Sequence, residues 1–450
     1  MNTQSGTLIA GMQTPESQGF AAETASLSEW LGYLEALHPS EIDLGLDRLR
    51  QVAECLQVTT LPCKVITVAG TNGKGSTVAL LESVLRRAGY RTGCYTSPHF
   101  LHYNERIALN GKPVSDALIC AAFRQIERAR GDISLTYFEF GTLASFIIFA
   151  EQKPDIAILE IGLGGRLDAA NLIDPDIAIV TTIALDHESW LGHDIAQIGR
   201  EKAGIFRPGK PAIIGSETLV SSVRETAEVI KTSSIDQLGV TYRWQQTKDG
   251  WNWQQLNQAG DVTLQYLQLP ELSLPTDNAA TVIQALQYLD AMGIKIPTVA
   301  LYEGLKAASL TGRLQRIGRF MLDVAHNPHA AEYVSKRLPV VKGRRVALLG
   351  MLDDKDIESV LDIMAPYFDT WYLAQLDGPR ATDVSRIEAH LLGLGCVNIC
   401  TFDNVSSALT GVLADTDDQD LVFVFGSFYT VAGVLAEKER LLVCTSYERN

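Results

Sequence analysis

At 450 residues the chain exceeds one ordinary core, and its 46% hydrophobic, 20% charged composition is that of a soluble globular protein of two or three domains. A net charge of −15 without a basic stripe argues against nucleic acid as a partner and leaves anionic ligands to local basic groups. No apolar run approaches the ~20 residues that span a bilayer, the first basic residue is Arg48, and seven scattered cysteines lack zinc-site spacing; the expectation is a cytoplasmic protein without signal peptide or membrane contact.

Residues 1–24, rich in Gly, Ser, Thr and Gln, read as a frayed lead-in. Trp30, Leu31, Tyr33, Leu34 and Leu37 have helical spacing, and after a break at residues 41–47 a second helix runs through about Leu56. Residues 65–69 are apolar and β-branched, the pattern of a buried parallel strand. Gly70, Gly73 and Gly75 open a tight loop, and Val78, Leu80, Leu81, Val84 and Leu85 mark the helix that leaves it. Residues 91–96 form a second strand, Ser115 opens a helix to Arg130, and residues 138–152 read as a buried helix, apolar nearly all round. Strands follow at 155–160, 177–183 and 211–215, then a helix to about Lys231.

Residues 239–268 read as an antiparallel hairpin turning at Asp249-Gly250, with tryptophans that pack rather than bind. Two helices cover Asn278 to about Met292 and residues 298–310. Beyond Thr311-Gly312-Arg313 a new alternation begins, with strands at 320–323, 345–349, 370–373 and 421–425 and helices at 329–337, 357–364, 384–392 and the end. The fold class is therefore α/β. A P-loop domain with a doubly wound, mostly parallel sheet and a small antiparallel hairpin region is expected over 25–310, and a second, smaller Rossmann-like α/β domain over 311–450.

Strand, glycine loop, Lys74, hydroxyl pair and helix is an arrangement that cradles phosphates: backbone N–H groups and the helix N-terminus face the anion, and the lysine adds a mobile charge. The general P-loop pattern would place glycine at Val68 and Ser or Thr at Gly75, so a bare glycine-rich turn is the alternative. Glu160, an acid at a strand tip beside this loop, stands where a magnesium ligand is expected, or else caps a turn. Ser97, in Thr-Ser-Pro-His, could be a simple turn residue. His187 follows Asp186, and imidazole is a poor magnesium ligand on chemical grounds. Lys202, in Arg-Glu-Lys-Ala-Gly-Ile-Phe, reads from its neighbours as a solvated helix lysine. Asp323 at a strand end can accept a ribose hydroxyl and Arg313 can reach phosphates; an interdomain salt bridge is the other reading.

The loop Gly-Thr-Asn-Gly-Lys-Gly-Ser resembles that of the Mur ligase superfamily, in its folylpolyglutamate synthase version. Together with Thr96–His99, Leu135–Glu139, Leu159–Asn171, Leu185–Gly192, Arg200–Phe206, Asn278-Ala-Ala and Asp323–His329, the chain from Ile42 to Ser427 resembles the dihydrofolate synthase/folylpolyglutamate synthase family. The resemblance implies an ATP-dependent ligase that joins L-glutamate to dihydropteroate and to reduced folates through an acyl phosphate. It implies Asn72, Gly73, Lys74, Gly75 and Ser76 on the ATP phosphates, with Asn278, Arg313 and Asp323 holding the rest of ATP. It implies two Mg2+ sites, one at Ser97 and Glu160 and one at Glu160 and His187, with Lys202 carbamylated into a metal ligand; a monovalent cation is also possible. Lys74, Glu160, His187 and Lys202 would be the catalytic set. Ile42, Asp43, Leu44, Gly45, Thr136, Tyr137, Phe138, Glu139, Leu167, Asp168 and Ala169 would line the pterin site. His329 is the guess for the base that frees the glutamate amine. The substrates are small molecules and a monomer is expected. The one departure is Ala170, where threonine is expected before Asn171. The rival readings are a ligase acting on nucleotide-linked wall precursors and a nucleotide-binding switch.

Overall fold

The computed structural model describes residues 22–40, 42–186, 188–437, 439 and 441. Among these, three sheets organise the chain. The first holds β1 (Lys64–Ala69), β2 (Thr92–Tyr95), β3 (Ile107–Leu109), β4 (Lys112–Pro113), β5 (Ile156–Glu160), β6 (Ile177–Val180), β7 (Pro211–Ile214) and β8 (Ser234–Gln237). Their order is β4-β3-β2-β5-β1-β6-β7-β8. Neighbours from β2 to β8 run parallel, and β3 with β4 adds an antiparallel edge.

Alternation along the strands explains why this sheet is buried on both faces. Val65 and Ala69 of β1 join Ala157 and Leu159 of β5 in one core, under the helices Leu27–Leu37, Asp47–Leu56, Asp116–Arg130 and Tyr137–Gln152. Ile66 and Val68 join Ile156 and Ile158 in the other, under the helices Lys74–Arg87, Thr276–Ala291 and Thr298–Ala307. This order sets the ends of β2, β5, β1 and β6 side by side, so the segments after Ala69, Tyr95, Glu160 and Val180 meet at one edge.

The second sheet is antiparallel: β9 (Tyr242–Thr247), β10 (Gly250–Leu256) and β11 (Val262–Leu269), in the order β11-β10-β9. It has three strands where the sequence pattern suggests a hairpin, because β11 is exposed along most of its length and carries little alternation. The tryptophans do pack. Trp251 and Trp253 are buried, and their indole N–H groups donate to the carbonyls of Pro270 and Ala280.

The third sheet takes β12 (Gln315–Ile317), β13 (Phe320–Leu322), β14 (Arg345–Leu349), β15 (Thr370–Ala374), β16 (Ile399–Phe402) and β17 (Leu421–Phe425), in the order β12-β13-β17-β14-β15-β16. All neighbours are parallel except β12, which is antiparallel to β13. Again one set of residues (Ala347, Leu349, Phe423, Phe425) faces one core, and the alternate set (Val346, Leu348, Val422, Val424) the other. The strands absent from the sequence reading, β3, β4, β8, β12 and β16, are short or partly polar edge pieces. The helix Val405–Asp415 was also missed; small and polar residues dilute its apolar face. Among the described residues no helix is long and apolar enough to cross a membrane, and the six described cysteines form no disulfide.

The helix that follows the glycine loop is held by an unusually close neighbour. A Cβ added at Gly304 would lie 2.5 Å from Val84 Cα, a backbone atom of that helix that cannot swing aside. The hydroxyl of Ser83 donates to the Gly304 carbonyl across the same contact (2.7 Å). Gly304→Ala would gain up to ~1 kcal/mol of helix propensity, but forcing the two backbones apart costs about 1–3 kcal/mol. The expected outcome is net destabilisation, read as a lower midpoint of urea unfolding.

Candidate active site

The loop between β1 and the helix Lys74–Arg87 is shaped by two glycines. Gly70 (φ +150°) lies so close to β6 that a Cβ would fall 1.9 Å from Thr181 Oγ1, and Gly73 (φ +91°) takes the left-handed cap position against the Asn278 amide. The end of β6 then ties the loop down. Thr71 N–H donates to Thr182 O, Asn72 N–H to Thr182 Oγ1, and the hydroxyls of Thr181 and Thr182 both donate to Asn72 O. Asn278 Nδ2 donates to Gly73 O (3.3 Å). Ser76 is buried in the first turn of the helix. A phosphate entering here meets the N-terminus of a fourteen-residue helix.

Two lysines converge on one carbonyl. Lys74 Nζ donates to Gly70 O at 3.0 Å and to Thr71 O at 3.3 Å, and Lys202 Nζ donates to Gly70 O at 3.1 Å. Lys202 is 5% exposed, which overturns the reading of a solvated helix lysine. The helix Ile195–Ala203 lays its last turn against Gly165, whose absent Cβ leaves room for the Lys202 backbone. Burial first, and then the Lys74 charge, push the Lys202 amine down to about 7. Burial also lowers Lys74, although Glu160 and Asp186 pull it back up.

Glu160, at the end of β5, is 5% exposed and accepts a weak hydrogen bond from Ser97 N–H (3.4 Å). Burial raises its carboxyl to about 7 against the opposing pull of Lys74, Ser97 and Arg313. This is a buried, under-coordinated carboxylate facing a phosphate loop, an arrangement suited to a cation. Lys74, Ser97, Glu160 and Lys202 line one pocket together with Gly75 and Arg313. His187 lies outside the described residues, and among the described ones no three His, Cys, Asp or Glu side chains cluster as a metal set.

Arg313, just before β12, and Asp323, just after β13, face each other across the open end of this antiparallel pair, 3.8 Å apart. Asp323 is buried and accepts from the N–H groups of Leu314 and Ala325; burial raises its carboxyl, and Arg313 opposes that. Both line a second pocket with Asn72, Gly73, Ser76, Asn278 and Tyr333, which adjoins the first through Arg313 and Asn72. His329 lies here too, its Nδ1 3.1 Å from Asn72 Nδ2. It is thus on the second pocket, whereas His326 lines the first.

A third pocket opens where Gly162 and Leu163 form a shared wall with the first. It is lined by Ile42, Asp43, Leu44, Gly45, Thr136, Phe138, Glu139, Leu167, Asp168 and Ala169; Tyr137 turns away to meet Tyr103. Thr136 and Glu139 cap the helix Tyr137–Gln152 reciprocally, so the Glu139 carboxylate is held by the Thr136 N–H. Asp168 is buried, accepts from Leu163 and Ala170 N–H, and is raised by burial to about 6.

The comparisons agree with this geometry. Residues 68–266 match the Mur ligase middle domain and residues 312–428 the Mur ligase glutamate ligase domain. The dihydrofolate synthase/folylpolyglutamate synthase of Escherichia coli K12 is 45% identical over 414 residues, covering 91% of this chain and 94% of its own. The chain belongs to the dihydrofolate synthase/folylpolyglutamate synthase family. Among solved structures, Escherichia coli FolC in complex with DHPP and ADP superposes with a TM-score of 0.86 at 44% identity, covering 93% of this chain and 98% of that one. A bifunctional folylpolyglutamate synthase/dihydrofolate synthase with Mn, AMPPNP and L-glutamate bound gives 0.85 at 45% identity, covering 92% and 98%.

For this family member, several contributors escaped the sequence reading. Arg48 bonds both Asp43 and Glu139, cross-linking two walls of the third pocket. Asp186 takes Lys355 Nζ at 2.7 Å and lies 3.5 Å from His326 Nε2, joining the first sheet's edge to the second α/β unit. The Asp353-Asp354-Lys355-Asp356 run carried a signal as an odd charge cluster, but only the fold reveals its partner. The buried Lys202 also yields a pH prediction. With its folded value near 7 and an ordinary value of 10.5, it opposes folding fully below pH 7, and less as pH climbs to 10.5. In bicarbonate-depleted buffer Lys202→Met is therefore expected to stabilise the protein by roughly 1–4 kcal/mol at pH 6.5 and by much less near pH 10, measured by urea unfolding.

Proposed function

We propose that this protein is an ATP-dependent ligase that adds L-glutamate to dihydropteroate, forming dihydrofolate, and to reduced folates, forming folylpolyglutamates. The observation that carries this reading is the shared wall at Gly162 and Leu163. A molecule whose ring fills the third pocket can deliver its carboxylate past that wall to Lys74 and Glu160. Ile42, Asp43, Leu44, Gly45, Thr136, Phe138, Glu139, Leu167, Asp168 and Ala169 hold the pterin, and Tyr137 supports it from behind.

ATP lies across the first two pockets. Asn72, Gly73, Lys74, Gly75 and Ser76 bind its phosphates, Arg313 approaches them from the other side, Asp323 takes the ribose, and Asn278 supports the loop. The residues fit a divalent ion, because Glu160 is a buried carboxylate with one long hydrogen bond beside Ser97. Mg2+ at Ser97 and Glu160, and a second ion at Glu160, His187 and Lys202, would supply counter-charge to the phosphates. Lys202 is buried and half neutral near pH 7, with no acidic group in ion-pair reach among the described residues. Such an amine can add CO2 and lose a proton, becoming a carbamate that suits a cation.

The acceptor's carboxylate oxygen attacks the γ-phosphorus as the bond to ADP breaks, giving an acyl phosphate. The neutral amine of L-glutamate then attacks the carbonyl carbon, phosphate leaves, and the amine proton is lost. Lys74 and Arg313 hold the charge that develops on the transferring phosphoryl group. Water would hydrolyse the acyl phosphate, so the Asp186–Lys355 and Asn72–Asn327 contacts that draw the two α/β units together matter for yield. We take the two units to divide near Thr311 and the enzyme to act as a cytoplasmic monomer.

The test is ADP release with ATP, magnesium and L-glutamate, adding dihydropteroate or tetrahydrofolate in parallel. Release that needs glutamate and either acceptor is expected. Release with neither returns the chain to the wall-precursor or switch readings. Lys74→Ala should lower kcat by at least about 10²–10³-fold while circular dichroism stays unchanged; near-wild-type ligation by that variant would sink the assignment.

A further inference from the structure

The sheet order sets the ends of β2, β5, β1 and β6 in a row, with Glu160 at the end of β5. On one side of Glu160 the two α/β units meet through polar side chains. Asn72, after β1, reaches Asn327 and His329, and Asp186, after β6, reaches Lys355 and His326. On the other side, after β2, they meet through carbon. The rings of Phe100 and Phe428 lie with centroids 5.1 Å apart, tilted by 38°, within the range of favourable aromatic pairs. Both line the first pocket together with Lys74, Ser97 and Glu160.

Each ring is held in place by its own backbone. The Glu105 carboxylate gathers the loop that carries Phe100, accepting from the N–H groups of Phe100 (2.7 Å), Leu101 (2.9 Å) and His102 (2.8 Å). The Phe100 ring then crosses to the second unit. A Cβ at Gly312 would lie 2.7 Å from Phe100 Cζ, so glycine leaves room for the ring. Among the described residues, Phe100 is the one hydrophobic residue of the first unit packed against the core that holds Leu322 and Val424. Phe428 is the first residue of the helix Phe428–Ala436, which Ser427 caps. It is partly buried, whereas Tyr429 beside it is 60% exposed.

The reaction gives this contact a task. An acyl phosphate can be lost to water. The water oxygen bonds to the carbonyl carbon, the bond from that carbon to the bridging oxygen breaks, and inorganic phosphate leaves. The acceptor carboxylate is regenerated, a proton is released, and ATP is hydrolysed with no amide formed. Polar contacts like those after β1 and β6 can hold bridging water. Two phenyl rings neither donate nor accept hydrogen bonds and give water no seat between them. We propose that Phe100 and Phe428 form an apolar seal on the β2 side of the active site, which keeps water from the acyl phosphate until the glutamate amine attacks. This inference rests on the ligase reading given above.

The experiment counts ADP and amide product in the same reaction, with ATP, magnesium and dihydropteroate held constant and L-glutamate varied. It compares wild type, Phe100→Ala, Phe428→Ala, the double alanine variant and Phe428→Leu, with Tyr429→Ala as a surface control. Wild type and the control should form about one ADP per amide, and in each single alanine variant that ratio should rise at least about threefold at low glutamate. It should fall back as glutamate increases, because amine and water compete for one intermediate, and the excess ADP should require dihydropteroate. The two rings make one contact, so the double variant should be no more uncoupled than the worse single variant; effects that multiply would overturn a shared seal. Slower ligation at an unchanged ratio would mark ordinary packing and overturn the proposal. Excess ADP without dihydropteroate, or a wild type that already releases several ADP per amide, would also overturn it. Phe428→Leu, shorter but apolar, should give an intermediate ratio. It decides if neither alanine variant folds, and a wild-type ratio there would then overturn the proposal. Wild-type coupling in every variant leaves the ligase standing without this inference, while no amide from wild type with any acceptor removes both.

Discussion

The structure depends on one arrangement: a glycine loop pressed so closely onto the end of β6 that its carbonyls are spoken for before any ligand arrives. Thr181, Thr182 and Asn278 fill the outer side of the loop, and Lys74 and Lys202 fill the inner side at Gly70. Both amines and the Glu160 carboxyl are therefore out of water, without the close pairing that would normally compensate buried charge. An anion and a cation together would relieve this strain, which is why the site reads as one built for a nucleotide with its metal. The protein accepts instability here, as functional sites commonly do.

Much of this was legible from the residues because the informative features are local. β1, its glycines and the helix after it form a contiguous run, and β5, β14 and β17 are apolar at nearly every position, the mark of strands buried on both faces. Glu160 could be placed at a strand tip from Asp155 to Ile161 alone. What could not be read depends on distant partners. Lys202 looks like a surface residue in its own helix, and only the approach of Gly165 and Gly70 buries it. Arg48 and Lys355 lie in charged, unremarked stretches whose partners are Glu139 and Asp186, 91 and 169 residues away. The edge strands were lost for a different reason: exposed on one or both faces, they need no apolar period.

The two α/β units contribute differently. The first supplies a preformed floor, in which Asp168 and the loop are fixed by backbone hydrogen bonds and Glu160 is set by its place at the end of β5. The second supplies residues carried on turns, Arg313 and Asp323 around β12–β13 and His326 ahead of the helix Pro328–Ser335. Such a division suits a reaction in which one acceptor is activated first and a second molecule is admitted afterwards.

Asn72 is both a phosphate-loop residue and a docking residue. Its amide exchanges two hydrogen bonds with the amide of Asn327, at 3.2 and 3.1 Å. This contact between the units is uncharged and directional, unlike the Asp186–Lys355 ion pair, and it is seated on the glycine loop itself. Salt has little purchase on this contact, which the Asn72 amide extends to His329, so a shift of the loop would be felt by the opposite unit through these side chains as well as through the Asp186–Lys355 ion pair. The glycine loop and the seat of the second unit thus share one residue, Asn72, so a substitution there would disturb both at once.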